Sequence, residues 1–306
     1  MHEGSRKAIV AAFFANLGIA ASKFVGFIIT GSAGLAAESV HSLADTANQG
    51  LLMFGARRAD KDVDAEHPFG HARERYFWAF IVALVLFSMG GLFAIYEGVS
   101  KLRHPHETSS FSVALVILGV AIVLEGFSLR TALRETAAVK PEGQSYWWFI
   151  REAKSPELPT VLLEDVAAES GLVFAFAGVL LSHWTGNPRW DAAGSVAIGI
   201  ILVVVAFVLA VEMKGMLMGE VASPRDRAAL FRALRGSEHV QRVVYLHTEH
   251  LGPDTLLVAT KVLFDPALTA DAVARTIDDA EARMRLAVPS ARYIFIEPDV
   301  HNPHEH

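Results

Sequence analysis

Apolar residues fill six long runs in the first 218 positions, and beyond them the pattern changes to that of a mixed-polarity globular segment. The runs predict membrane spans at about 8–29, 34–56, 76–100, 111–134, 159–183 and 190–217, each near the ~20 residues needed to cross the hydrocarbon. Gly31 and Gly34 bracket a very short first turn, so the first two spans are expected as a tight hairpin. Downstream, SPRDRAALFRALRG has helical spacing, while VQRVVYLHTEHLG and DTLLVATKVLFD alternate like paired strands. TADAVARTIDDAEARMRLAV reads as an amphipathic helix and ARYIFIEPDV as a closing strand. The expected fold class is therefore an α-helical membrane protein, with a six-helix transmembrane bundle over residues 1–220. A small αββαβ α+β domain over 221–306 is expected to lie in the cytosol.

Composition supports this division. Of 306 residues, 52% are hydrophobic, and the mean hydropathy of +0.35 is high for a soluble chain. The first apolar run follows a short polar start without a small-residue cleavage site, which reads as a retained span. Arg57, Arg58, Lys61, Arg73 and Arg75 crowd the second connection, and Arg134, Lys140, Arg151 and Lys154 mark the fourth. The opposite side offers Lys101, Arg103 and Arg189, so the positive-inside rule places both termini in the cytoplasm. Tyr146, Trp147 and Trp148 in the fourth connection belong at the membrane interface. The net charge of -6 is small and points to no nucleic-acid partner.

Ionisable residues inside the spans carry the chemistry. Glu38, His41 and Asp45 follow one another at three- and four-residue spacing in the second span, along one helical stripe. Each charge at the centre of a bilayer costs at least ~2.5 kcal/mol by insertion scales, so idle ones are rare. The chain has no cysteine, and any metal must be held by imidazole, carboxylate, carbonyl or water. His41 with Asp45 suits zinc, and more loosely cobalt, iron or manganese. Glu164 and Asp165 in the fifth span can complete such a site, but they are rotated by about 100° from each other on a helix. Glu169 reads as lining a vestibule, and Glu125, Lys23 and Glu97 are left unassigned. In the second connection, Asp64, His67 and His71 surround a turn at Pro68 and Gly70, a weak metal signal taken alone.

HSLAD, followed about twenty residues later by HPFGHARER, makes the chain resemble the cation diffusion facilitator family of divalent-metal/proton antiporters. LLED and the ending YIFIEPDV resemble a sub-branch that includes a mitochondrial zinc transporter. The resemblance implies a transport site with two ligands from each of spans two and five, here His41, Asp45 and Asp165. It also implies a second site at Asp64, His67 and His71, and a homodimer in a lipid bilayer. Where many members carry a histidine, four residues before Asp165, this chain has Val161. The fourth ligand is left to Glu164, Glu38 or water.

The expected function is efflux of a divalent cation in exchange for protons across a bacterial inner membrane. Zn²⁺ is the first choice of cargo, with Mn²⁺, Fe²⁺, Co²⁺ and Cd²⁺ as alternatives. An ordinary histidine titrates near ~6.5 and ligates only when neutral, so His41 is expected to couple metal to protons. A manganese or iron exporter, or a membrane-anchored sensor that binds metal without moving it, are the rivals. No zinc-hydrolase pattern such as HExxH occurs, and the chain reads as no enzyme. In the soluble segment His239, His247, His250, Glu297, Asp299 and His301 are donors without a metal spacing, and surface histidines are the expectation there.

Overall fold

A computed structural model of the chain describes residues 3–105 and 110–299, with side chains described from Leu17 onward. Six long helical segments coincide with the expected spans: α1 (Glu3–Thr30), α2 (Ala33–Ala59), α3 (Glu74–Val85) continuing through a π-helical stretch into α4 (Phe93–Arg103), α5 (Phe111–Val139), α7 (Glu157–Thr185) and α8 (Arg189–Met218). Glu74–Arg103, α5, α7 and α8 are long and apolar enough to cross a membrane. α2 is diluted by its own polar stripe, and Leu17–Thr30 of α1 forms a shorter apolar helix. A short helix, α6 (Tyr146–Glu152), begins where Ser145 accepts a hydrogen bond from the Trp148 N–H. It presents Trp147 and Trp148 outward.

Exposed side chains on these helices are apolar in stripes. Val116, Val120, Val123 and Phe127 on α5, and Ile200, Val204, Phe207 and Val211 on α8, are all exposed at three- and four-residue intervals. In water such faces would be costly; against lipid tails they are the ordinary outer surface. The opposite faces close a core around Leu35, Leu86, Leu118, Leu172, Ile198 and Leu202.

Two features of the bundle were not expected. The first turn is shorter than the two glycines implied. Gly31 has φ of 65° and makes the turn, but α2 already starts at Ala33 and Gly34 is helical. Asp191 of α8 supplies the reason: its carboxylate accepts from the N–H groups of Ala33 at 2.9 Å and Gly34 at 3.3 Å, and from Ser32 Oγ at 2.8 Å. A negative group at a helix start satisfies orphan N–H groups and the dipole together. The second feature is the π-helical stretch Leu86–Leu92, where span three meets α8. A Cβ on Gly199 would lie 2.8 Å from the Gly91 carbonyl oxygen, so the backbones themselves are in contact.

The chain divides into two compact units: Met1–Arg57 with Phe77–Lys214, and Arg58–Tyr76 with Gly215–His306. The second unit therefore includes the connection between spans two and three. Its C-terminal part has the expected αββαβ order: α9 (Pro224–Arg235), β1 (Val240–Gly252), β2 (Thr255–Phe264), α10 (Ala270–Ala287) and β3 (Ala291–Asp299). β1 pairs antiparallel with β2 through a tight hairpin, and β2 pairs parallel with β3. The parallel pair needs a crossover, which α10 provides. Leu230, Leu246, Val258, Val262, Met284 and Ile294 form the core of this two-layer fold.

Candidate metal sites

Within the first unit, α2 and α7 bring their ionisable residues to one small cavity of about 40 Å³. Asp45, Ser42 and Gln49 line it from α2, Glu164, Asp165 and Val161 from α7, and Glu125 and Ser128 from α5. Glu164 and Asp165 both face this space despite their difference in angle. Asp165 accepts a hydrogen bond from Ser128 Oγ at 3.0 Å, and Glu164 accepts one from Asn48 Nδ2 at 2.7 Å. Val161 stands one turn before Asp165 on the same wall, so an apolar side chain occupies a place from which a ligand would reach.

His41 is fully buried beside this cavity, with Nδ1 3.4 Å from Asp45 Oδ1. Neither ring nitrogen has a hydrogen-bond partner among the described residues, and the same holds for Asp45 Oδ1. Buried polar atoms are seldom left so, and a metal ligand set is one chemistry that would use them. Glu38 is placed differently. Its Oε2 lies 3.2 Å from the ammonium of Lys23, itself fully buried, which also donates to Ser42 Oγ at 2.7 Å. The unpaired Glu38 Oε1 points at α7, where a Cβ on Gly171 would approach it to 2.5 Å. Glu169 is only partly buried, and its Oε2 has no partner among the described residues.

The second constellation is tighter. Asp64, His67 and His71 each offer a ligand atom within 4.8 Å of the others, the one such group of three among the described residues. No three of His41, Asp45, Glu125, Glu164 and Asp165 converge this closely. Asp64 anchors the turn: its Oδ1 accepts from the His67 N–H at 2.7 Å and the Glu66 N–H at 3.0 Å, and lies 3.0 Å from His67 Nδ1. The His67 backbone N–H, with that imidazole, holds the Asp64 carboxyl below the usual carboxylate range. Asp64 Oδ2 lies 3.4 Å from His71 Nε2, and the two imidazole centroids are 4.2 Å apart. A carboxylate and two imidazoles around one point suit Zn²⁺ and leave a fourth position open.

This loop is held by the small α+β fold within its own unit. Phe69 packs edge-on against Tyr293 of β3, and Arg73 pairs with Glu249 of β1. His71 and Arg75 share a cavity of about 500 Å³ with Asp254, Arg292 and Tyr293. The remaining donors among the described residues of the C-terminal segment form no such group. Glu297 accepts from the Tyr245 hydroxyl at 3.1 Å, Lys261 lies 3.5 Å from Asp299, and His250 is buried on β1. His239 and His247 are exposed, and His301 with the tail HNPHEH lies outside the described residues.

Residues 9–218 match the model of the cation efflux transmembrane domain. The human proton-coupled zinc antiporter SLC30A9, mitochondrial, is 33% identical over 244 residues, which is 79% of this chain and 43% of the relative. Metal tolerance protein C4 of Arabidopsis thaliana is 30% identical over 262 residues, 85% of this chain and 57% of the relative. Magnetosome protein MamB of Magnetospira sp. (strain QH-2) is 26% identical over 273 residues, 87% and 88% of the two chains. The chain thus spans about half the length of the zinc antiporter and metal tolerance relatives it matches. With two thirds of its length matched by the family's membrane domain, and lipid-type apolar stripes on those helices, the chain is an integral membrane protein of the cation efflux, or cation diffusion facilitator, family.

Proposed function

We propose that this chain exports a divalent cation, Zn²⁺ in the first instance, in exchange for protons, holding the ion between α2 and α7. The observation that carries the reading is the cavity shared by Asp45, Glu164 and Asp165, beside a buried His41 whose two nitrogens lack hydrogen-bond partners among the described residues. Metal enters with displacement of protons from imidazole and carboxyl, and protons compete it off on the other side. Asp64, His67 and His71 form a second, peripheral metal site on the cytosolic side. The working protein is a homodimer in a bacterial inner membrane with both termini in the cytoplasm. Likeness to a mitochondrial proton-coupled zinc antiporter supports zinc and proton coupling. Val161 on the cavity wall supports a second reading, a harder cargo such as Mn²⁺ or Fe²⁺, because it leaves one histidine among oxygen ligands.

The test is metal uptake into proteoliposomes under a proton gradient, with Zn²⁺, Mn²⁺ and Fe²⁺ compared for the wild type and Asp45→Asn. Gradient-driven Zn²⁺ flux lost in the variant is the expected result. Flux of Mn²⁺ or Fe²⁺ alone would move the assignment to the harder metals. Binding without flux of any metal would overturn transport in favour of a sensor.

A further inference from the structure

Lys23 is fully buried in a helix that faces the second span. Its ammonium donates to Ser42 at 2.7 Å, pairs with Glu38 at 3.2 Å, and lies 3.6 Å from Glu125 Oε1. Ser42 and Glu125 are themselves walls of the metal cavity, and Glu38 stands one turn before His41 on the ligand stripe. The cavity region therefore holds Glu38, Asp45, Glu125, Glu164 and Asp165, more carboxylates than a four-coordinate Zn²⁺ site takes. Oxygen donors in excess favour harder ions with higher coordination numbers.

We propose that Lys23 is a specificity-determining residue of this site: its ammonium withholds Glu38 and Glu125 from the metal and leaves Asp45, Glu164 and Asp165 to coordinate with His41. The inference rests on the metal-site reading given above and deepens it. Lys23 touches no ion; it sets how many oxygens can reach one. Three groups aim at the ammonium from α2 and α5, so its place is fixed by a hydrogen bond and two ion pairs across three helices. Glu38 Oε2 is the oxygen that loss of Lys23 would set free, while Oε1, also buried, has no hydrogen-bond partner among the described residues. Oε1 already faces α7, where the missing side chain of Gly171 leaves it room.

The experiment is equilibrium binding of Zn²⁺ and Mn²⁺ to the full chain in nanodiscs, in a His67→Ala/His71→Ala background that silences the loop, with Asp45→Asn as the blank. Lys23→Gln is expected to raise Mn²⁺ affinity relative to Zn²⁺ by about tenfold, the scale on which groups behind the ligands act. Lys23→Arg should keep the wild-type ratio, and Lys23→Gln/Glu38→Gln should return to it. An unchanged ratio in Lys23→Gln, or one that the double variant does not restore, would overturn the proposal, since a purely structural lysine weakens both metals together. Should Lys23→Gln not fold, Glu38→Gln alone decides. It should leave Zn²⁺ affinity within about twofold, and a loss of tenfold or more would make Glu38 a ligand and sink the idea. A wild type that binds in this background with no proton-driven flux would remove the transport reading while leaving this one standing. No binding in the background would remove both.

Discussion

Lys101 and Asp191 form an ion pair of 2.6 Å in which both side chains are all but excluded from solvent. Lys101 also donates to the Gly31 carbonyl at 2.7 Å, while Asp191 receives the first N–H groups of α2. One carboxylate thus ties spans three and six to the start of span two. His41 follows Ala33 by eight residues, ~12 Å along the helix, so the height of the Glu38–His41–Asp45 stripe is set from this knot. Asp191→Ala would strip the buried ammonium of its partner and uncap α2. A loss of about 3–5 kcal/mol is expected, read as a marked fall in melting temperature of the purified protein in detergent. A melting temperature within a degree or two of the wild type would show that the knot is dispensable.

The backbone contact between span three and α8 leaves no room for a side chain. Gly199→Ala would push its Cβ to 2.8 Å from the Gly91 carbonyl and 2.5 Å from Ile95. About 1–3 kcal/mol of destabilisation is expected from such overpacking. Thermal melting checks it, with Gly119→Ala as the control, since nothing lies within 4 Å of a Cβ there.

The loop triad should bind one metal ion of its own. His71→Ala is expected to remove one equivalent of tightly bound Zn²⁺ from the full chain and to leave the equivalent lost in Asp45→Asn in place. Counting bound zinc by equilibrium dialysis in the two single variants and their combination checks that the two losses add. A single variant that empties both sites would show one shared site.

Tyr245 gives a prediction for pH. Its hydroxyl donates to Glu297, and that hydrogen bond, ahead of all other causes, raises the phenol above its usual value of ~10. The folded value lies above the unfolded one, so the contribution to stability is whole below ~10 and disappears as pH rises through the folded value. Glu297→Gln should bring one tyrosine's ionisation, followed by phenolate absorbance, back toward ~10. An alkaline titration identical to the wild type would show that the bond does not persist in solution.

Much of the architecture was legible because periodicity records burial. The αββαβ order and the long helices follow from patterns of two and of three to four, and the stripe Glu38–His41–Asp45 needs only helical geometry. What escaped depends on contacts between distant segments. Lys23 was visible as an odd charge in a span, but its pairing with Glu38 requires the register of the α1–α2 hairpin. Asp191 sits at the edge of an apolar run and looks like a boundary residue; only the folded chain shows it capping a helix 158 residues away. The π-helical stretch has no signature beyond Gly90–Gly91. Whether Glu164 and Asp165 could face one cavity was undecidable from spacing alone, since α5 has to supply the third wall.

The grouping of Arg58–Tyr76 with the small α+β fold has a practical consequence for anyone rebuilding this protein. A chimera that exchanges only the polypeptide after residue 218 would part Phe69 from Tyr293 and Arg73 from Glu249, leaving the Asp64–His71 loop of one parent against the sheet of another. The exchangeable module is discontinuous: the loop and the C-terminal segment have to be grafted together.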